Sequence, residues 1–382
     1  MSPLPPRLAA DLANGVYGVR EESDVRQAFI NRQAGRALSY LDVDAANIST
    51  GRTGGRFFNR ETPFALTAPL TGNRAGEWVV CVRGTATRHD WLTDLTGALD
   101  RGPTGHGVHA GFARTFNSVT QSIHEALRGA NPSTIHVTGH SLGGAVANLV
   151  AADLDQGRVA NIQLYTFGAP RVGFSDFSSY LTQRLGADHI HRVYNVSDVI
   201  PMVPLFPFWH APSDEGGYRI SDTGWALSIP AHFMTRYTPA VEDHSWSSLA
   251  SLTPGVESRL SVDYWIGIAK DNVSFPGSSL AFYALGKAIG ALMNFIKATL
   301  GFAMLGAATL LDQLAAFLHR AATMSVEVSE RLVSILAIAM KFAGRAMESG
   351  ANLTMSFVSW VLRMLMQPIV AIASGALSAF DS

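Results

Sequence analysis

Thr138-Gly139-His140-Ser141-Leu142-Gly143-Gly144 joins a strand-like run to a helix-like run and puts a serine at the join. Before it, Ser133-Thr134-Ile135-His136-Val137-Thr138 is short, β-branched and alternating, which predicts a strand. After it, Leu142 to Leu154 is rich in Ala, Leu and Val at helical spacing. Glycines two residues before and two after Ser141 let the backbone turn tightly. The hydroxyl then projects above the sheet edge with the positive end of the helix beneath it. Gly-x-Ser-x-Gly between a strand and a helix is the setting of a nucleophile elbow, which makes Ser141 the candidate nucleophile.

Around this stretch the chain runs to 382 residues, enough for two domains or for one large domain with an appendage. A formal net charge of -1 gives no basic excess, so nucleic acid is set aside as a partner. The single cysteine, Cys81, lies in the apolar run Trp78-Val79-Val80-Cys81-Val82, as a buried strand residue would, and leaves no internal disulfide to form. No zinc-type His/Cys spacing appears, and neither a metal nor a cofactor is expected. The segment from Met1 to Arg7 and beyond lacks an apolar core of signal-peptide length. The expectation is a chain made in the cytoplasm without a Sec signal, with membrane association and signal-independent export both left open.

Pro6 to Tyr17 has helical spacing, the glycine-rich residues 49–62 read as loop, and Phe64 to Leu70 and Trp78 to Val82 read as strands. His109 to Ala130 predicts a long helix, and Gln163 to Phe167 and Ile190 to Asn195 predict core strands. Six blocks then fall in a fixed order: Arg83-Gly84-Thr85; Trp91 with Asp94-Leu95; Val108-His109-Ala110-Gly111-Phe112; the elbow; Thr166-Phe167-Gly168-Ala169-Pro170-Arg171-Val172-Gly173; and Asn195-Val196-Ser197-Asp198-Val199-Ile200-Pro201. Over about residues 8–250 this series resembles the class 3 lipases, triacylglycerol lipases and relatives of the filamentous-fungal type. The resemblance implies an α/β-hydrolase fold with a mostly parallel sheet, and a Ser-His-Asp triad.

Asp198 matches that family's catalytic aspartate, and it follows a strand in the chain order serine, acid, histidine. A tetrahedral oxyanion needs donors already in place. The amide of Leu142, first residue after the elbow, supplies one by geometry, and Thr85 matches the family's oxyanion serine or threonine. Residues 86–95 match its lid, with Trp91, Leu92 and Leu95 as an apolar face. The base is open between His232, after Pro230, and His244, in Glu242-Asp243-His244-Ser245-Trp246. A helix starting at Pro239 would bury His244 inside it, whereas a triad histidine must hang from a loop with both ring nitrogens reachable, which favours His232. His140, His109 and His210 are expected to serve structure.

Composition shifts near Pro276-Gly277, giving a division into 1–277, the hydrolase-like part, and 278–382. The second part holds seven basic and five acidic residues and eight of the eleven methionines. Four helices are expected there: Ser279 to Ile296, Ala298 to His319, Ser325 to Met347 and Asn352 to Phe380. The longest charge-free runs, 298–311 and 364–380, fall short of the ~18–20 apolar residues of a spanning helix. Three readings stand: a subdomain packed on the hydrolase, a membrane-associating module, or a surface for a chaperone or inhibitor protein. The function these expectations converge on is hydrolysis of acyl esters of glycerolipids, phospholipids included. The alternative is a membrane-perturbing, toxin-like effector whose C-terminal helices carry the main activity.

Overall fold

The computed structural model describes residues 2–53, 60–84, 99–204, 207–213, 216–220, 226–253, 261–274, 278–300, 310–348 and 351–378. Its frame is a sheet built from the strands β1 (Asn47–Thr53), β2 (Arg60–Pro69), β3 (Glu77–Val82), β6 (Thr134–His140), β7 (Asn161–Phe167), β8 (Ile190–Asn195) and β9 (Tyr218–Ile220). These seven lie side by side in chain order, and β4 (Leu99–Arg101) and β5 (Gly107–His109) form a separate antiparallel ribbon. β1, β2 and β3 pair antiparallel, and from β3 through β6, β7 and β8 to β9 every pairing is parallel. This is the α/β-hydrolase arrangement: parallel strands joined by crossover helices, with the loops after their C-terminal ends gathered along one edge.

Residues 49–62, expected as loop, contribute strand at both ends of the stretch. Thr50 pairs with Pro63, Gly51 with Thr62 and Thr53 with Arg60. Backbone pairing asks little of side chains, and Gly51 is needed because a Cβ there would press into the Phe64 side chain. Ser49 at the bulge of β1 is buried, its hydroxyl 2.9 Å from that of Ser122 on the helix Ala110–Ala126. That helix starts one residue later and ends four residues earlier than its spacing predicts. His109 caps it, its Nδ1 accepting from the Gly111 amide at 3.2 Å.

Both faces of the sheet are covered, which explains why β3 is the apolar run Trp78 to Val82 rather than an alternation. On one face Val80, Val82, Ile135 and Val137 pack with Phe112 and Phe116 and with Leu142, Val146 and Leu149 of the helix Leu142–Gln156. On the other, Leu66, Val79, Cys81, Phe167 and Val193 meet Leu8 and Leu12 of the helix Pro6–Gly15 and Tyr237 and Leu249 near the end of the hydrolase part.

The first of these cores continues into the C-terminal region. Phe282, Leu285, Ile289 and Leu292 of the helix Ser279–Leu300 belong to the same buried cluster as Val199, Met202 and Val203. A bridge between Ala226 and Ser278 ties the start of that helix to the sheet side. The helix Val262–Asn272 lies along it, so the helical layer begins before residue 278. Val326–Phe342 packs against Val262–Asn272, Ser279–Leu300, Leu310–Met324 and Met355–Ser378. The sparse charges sit at the rim of this bundle. Arg331 grips Asp263 at 2.8 and 3.0 Å, and Arg363 holds Asp312 at 2.7 and 2.8 Å. Such exposed pairs are worth ~0–1 kcal/mol each, so apolar burial contributes more to holding the bundle together.

Two of these helices are longer than charge-free runs suggest, because Lys287 and Arg363 fall inside them. Ser279–Ile296 and Met355–Ile372 have mean hydropathy 1.4 and 1.5 over 18 residues, enough by length and composition to cross a membrane. In the structure 61% of the first window is buried within the protein, as in a core helix, and 44% of the second.

Candidate active site

β6 delivers Ser141 to the C-terminal edge of the sheet between β3 and β7, with Val82 paired to Gly139 and His140 to Phe167. The Ser141 backbone sits at φ 58, ψ -132, and its amide donates to the Phe167 carbonyl at 3.0 Å. Few non-glycine residues hold such a conformation, and it marks a strained turn kept by its surroundings. The flanking glycines explain how it is kept. A Cβ on Gly139 would meet the Gly143 backbone, and one on Gly143 would meet the Val82 carbonyl. The first helical turn therefore lies directly on the ends of β3 and β6.

Asp198 follows β8 in a tight turn, its amide donating to the Asn195 carbonyl at 3.1 Å. The Ile200 amide donates to Asp198 Oδ1 at 2.9 Å. Asp198 Oδ2 lies 2.7 Å from His232 Nδ1 and accepts from the Tyr237 hydroxyl at 2.7 Å. His232 ends a short 3₁₀ turn, Pro230–His232, and its Nε2 is 2.8 Å from Ser141 Oγ. A carboxylate only accepts, so Nδ1 carries the donated proton and Nε2 is left to accept from the serine hydroxyl. The acid and base loops are joined directly, the Ser228 amide donating to the Ser197 carbonyl at 3.0 Å. Ser141, Asp198 and His232 are each at most 1% exposed.

A second layer fixes the base. His140 Nε2 lies 2.7 Å from the His232 carbonyl, which can only accept, so that nitrogen donates. Its Nδ1 then accepts from the Tyr17 hydroxyl at 2.8 Å. Burial first, then repulsion that a second positive charge beside His232 would meet, holds the His140 pKa well below the usual imidazole range, which keeps the His140 ring neutral in this role. Tyr237 bridges the acid loop, accepting from the Asn195 amide at 3.1 Å while donating to Asp198. Burial, then the neighbouring carboxylate, raises its pKa well above the usual phenol range, so it remains a donor.

Of the two histidines weighed as base, the geometry brings only His232 to Ser141 and Asp198. His244 is hydrogen-bonded to Ser248 at 3.2 Å, in the turn before the helix Trp246–Leu252. The expected helix start at Pro239 is corrected. The helix runs Met234–Ala240 with Pro239 inside its last turn, so the proline does not start a helix there. His210 donates to the Pro201 carbonyl at 2.7 Å, and His109 caps a helix. Leu142 opens the elbow helix, with its amide among the first-turn donors that no carbonyl of the same helix can satisfy. Thr85 and the lid-like residues 86–95 lie outside the described residues. Tyr17 and Tyr237 carry no sequence signal, because each fits an apolar helical stripe and their hydroxyl partners come from remote elements.

Residues 79–208 match the family described as Lipase (class 3). The chain is 38% identical over 144 residues to the secreted mono- and diacylglycerol lipase 1 of Fusarium solani, covering 36% of this chain and 42% of that protein. It is 34% identical over 155 residues to a lipase of Rhizomucor miehei, covering 37% and 41%. To a chloroplastic phospholipase A(1) of Arabidopsis thaliana it is 33% identical over 150 residues, covering 33% of each. The chain thus spans less than half the length of these relatives. The match takes in β3, the elbow and the Asp198 turn and ends before His232, and over this stretch the chain is similar to the class 3 lipases.

Proposed function

We propose that this chain is a serine carboxylester hydrolase that cleaves acyl esters of glycerolipids through Ser141, His232 and Asp198. The observation that carries the reading is the unbroken relay of 2.8 Å from Ser141 Oγ to His232 Nε2 and 2.7 Å from His232 Nδ1 to Asp198 Oδ2. In the reaction His232 takes the hydroxyl proton as Ser141 Oγ attacks the ester carbonyl. The Leu142 amide and Thr85 hold the tetrahedral oxyanion, and the imidazolium, stabilised by Asp198, protonates the departing alcohol. Water activated by His232 then releases the fatty acid from the acyl-enzyme. The relatives' names, mono- and diacylglycerol lipase on one side and phospholipase A(1) on the other, support acyl glycerols and glycerophospholipids as the substrate class.

In this reading residues 278–382 are a helical cover packed on the hydrolase, not an independent membrane-perturbing unit. Support comes from the core shared between Phe282, Leu285 and Ile289 and Val199 and Ile200 of the Asp198 loop. Contact with a lipid surface or a protein partner would then be made by the assembled molecule. Ser141→Ala tests the central step. Turnover of a short-chain p-nitrophenyl ester should fall by about 10⁶-fold, towards the residual that binding and the oxyanion donors sustain, with the thermal melt unchanged. Retained turnover in a folded variant would remove Ser141 from the mechanism.

A further inference from the structure

The helix Ser279–Leu300 lies outside the stretch matched to the class 3 lipases, yet one of its faces runs along the turn that carries Asp198. Tyr283, Lys287 and Gly290 are spaced by four and three residues and so share a face. Tyr283 and Lys287 line a small cavity together with Asn195, Val196, Pro201 and Met202, which flank Asp198 on both sides in the chain. One helical turn further on, a Cβ at Gly290 would lie 3.7 Å from Cη2 of Trp209, an ordinary contact distance. The Tyr283 ring is itself fixed: the Trp265 ring meets it edge to face, 5.9 Å between centres, and the Lys287 ammonium lies 5.5 Å from its centre.

Within the turn, every hold on the acid passes through residues beside this cavity. The Asn195 carbonyl accepts from the Asp198 amide at 3.1 Å, and Asn195 Oδ1 accepts from the Ser197 amide at 3.0 Å. The Ile200 amide, directly before Pro201, donates to Asp198 Oδ1 at 2.9 Å, and Asp198 Oδ2 is 2.7 Å from His232 Nδ1. Val199 and Ile200 are at most 1% exposed and belong to the same buried cluster as Phe282 and Leu285. A close-packed interior transmits a displacement, and misplacing a reacting group by about 1 Å costs on the order of a hundredfold in rate. We propose that Tyr283 is a positioning residue for the acid: its ring backs the turn on both sides of Asp198 and thereby sets the carboxylate against His232. The first C-terminal helix is then part of the catalytic support as well as a cover. This inference rests on the hydrolytic reading of Ser141, His232 and Asp198.

Kinetics of the full chain on a short-chain p-nitrophenyl ester test it. Tyr283→Ala should lower kcat by about tenfold or more while KM stays within about twofold, and Tyr283→Phe, which keeps the ring, should restore kcat to near the wild-type value. Leu314, fully buried in the helix Leu310–Met324, packs in the layer formed with Val326–Phe342 and Met355–Ser378. Leu314→Ala should lower the melting temperature and leave kcat unchanged. Wild-type kcat in a folded Tyr283→Ala, or an equal fall in kcat in Leu314→Ala, would overturn the positioning role. If Tyr283→Ala does not fold, Tyr283→Leu is judged by the same criterion. The two claims fail separately: turnover that survives Ser141→Ala removes the hydrolytic reading, whereas turnover that needs Ser141 and ignores Tyr283 removes only the positioning role.

Discussion

Ser141 holds a backbone conformation that costs on the order of 1–3 kcal/mol, and its neighbours are selected to impose it. That is why the serine could be singled out from a few residues: Gly139 and Gly143 are small because the backbone passes there too closely for a side chain. Asp198 and His232 were also nameable as candidates, the one from its turn after a strand and the other from a proline-led loop. Tyr237 was not, since nothing local distinguishes a core tyrosine from one whose hydroxyl meets a carboxylate on a remote loop. Its hydrogen bond to a buried charge is worth about 1.5–3 kcal/mol when it strengthens in the transition state. Tyr237→Phe should therefore lower kcat by about ten- to a hundredfold with KM nearly unchanged. Steady-state kinetics on a soluble ester check this, and a change confined to KM would assign Tyr237 to substrate binding instead.

The elements that position the site were legible where burial is two-sided. β3 appears as a short apolar run because helices cover both faces of the sheet, and β6 and β7 were legible from β-branched or apolar residues at alternate positions. β1 was missed because its ladder is built by the backbone of Ser, Thr and Gly residues that also suit loops. The helix around Pro239 was misplaced because proline at a first helical position is the stronger local signal, whereas here the buried Met234 and Tyr237 put the helix before it. The junction of β3, β6 and the elbow helix is the tightest point. In Gly143→Ala the new methyl group would push against the Val82 carbonyl and the backbone of Arg83 and Gly84. Overpacking of this kind costs about 1–3 kcal/mol, and here it would also move the Leu142 amide. The expected outcome is a lower urea midpoint together with a fall in kcat of at least about tenfold, measured on the same preparation. Wild-type kcat in this variant would mean that the first helical turn does not position the reacting groups.

At the scale of the whole molecule, the two cores contain imidazoles that folding keeps neutral. Burial, partly offset by Glu77, lowers the His136 pKa to about 4, and burial lowers that of His191 to about 3. His140 and His210 are held well below the usual value, by burial first. A folded-state pKa below the unfolded value near 6.5 means that the unfolded chain binds more protons in between. The stability associated with these groups is complete above about pH 6.5 and is lost as pH falls towards the folded values. His136 alone accounts for about 3 kcal/mol by pH 4. Urea midpoints should therefore decline steadily from about pH 7 to about pH 4.5, and a flat profile would contradict the neutral buried histidines. How the helices after residue 278 are used was the least legible feature, because a buried core helix and a lipid-facing one share a composition. For the helix Ser279–Leu300 the buried cluster shared with Val199 and Met202 adds what composition alone does not carry. The most direct test of the central claim is labelling of the intact chain with a fluorophosphonate, followed by peptide mass analysis. One adduct is expected, on Ser141, whose formation slows by several orders of magnitude in His232→Ala and proceeds normally in His244→Ala; an adduct on another serine, or a rate that follows His244, would contradict the Ser141–His232–Asp198 relay.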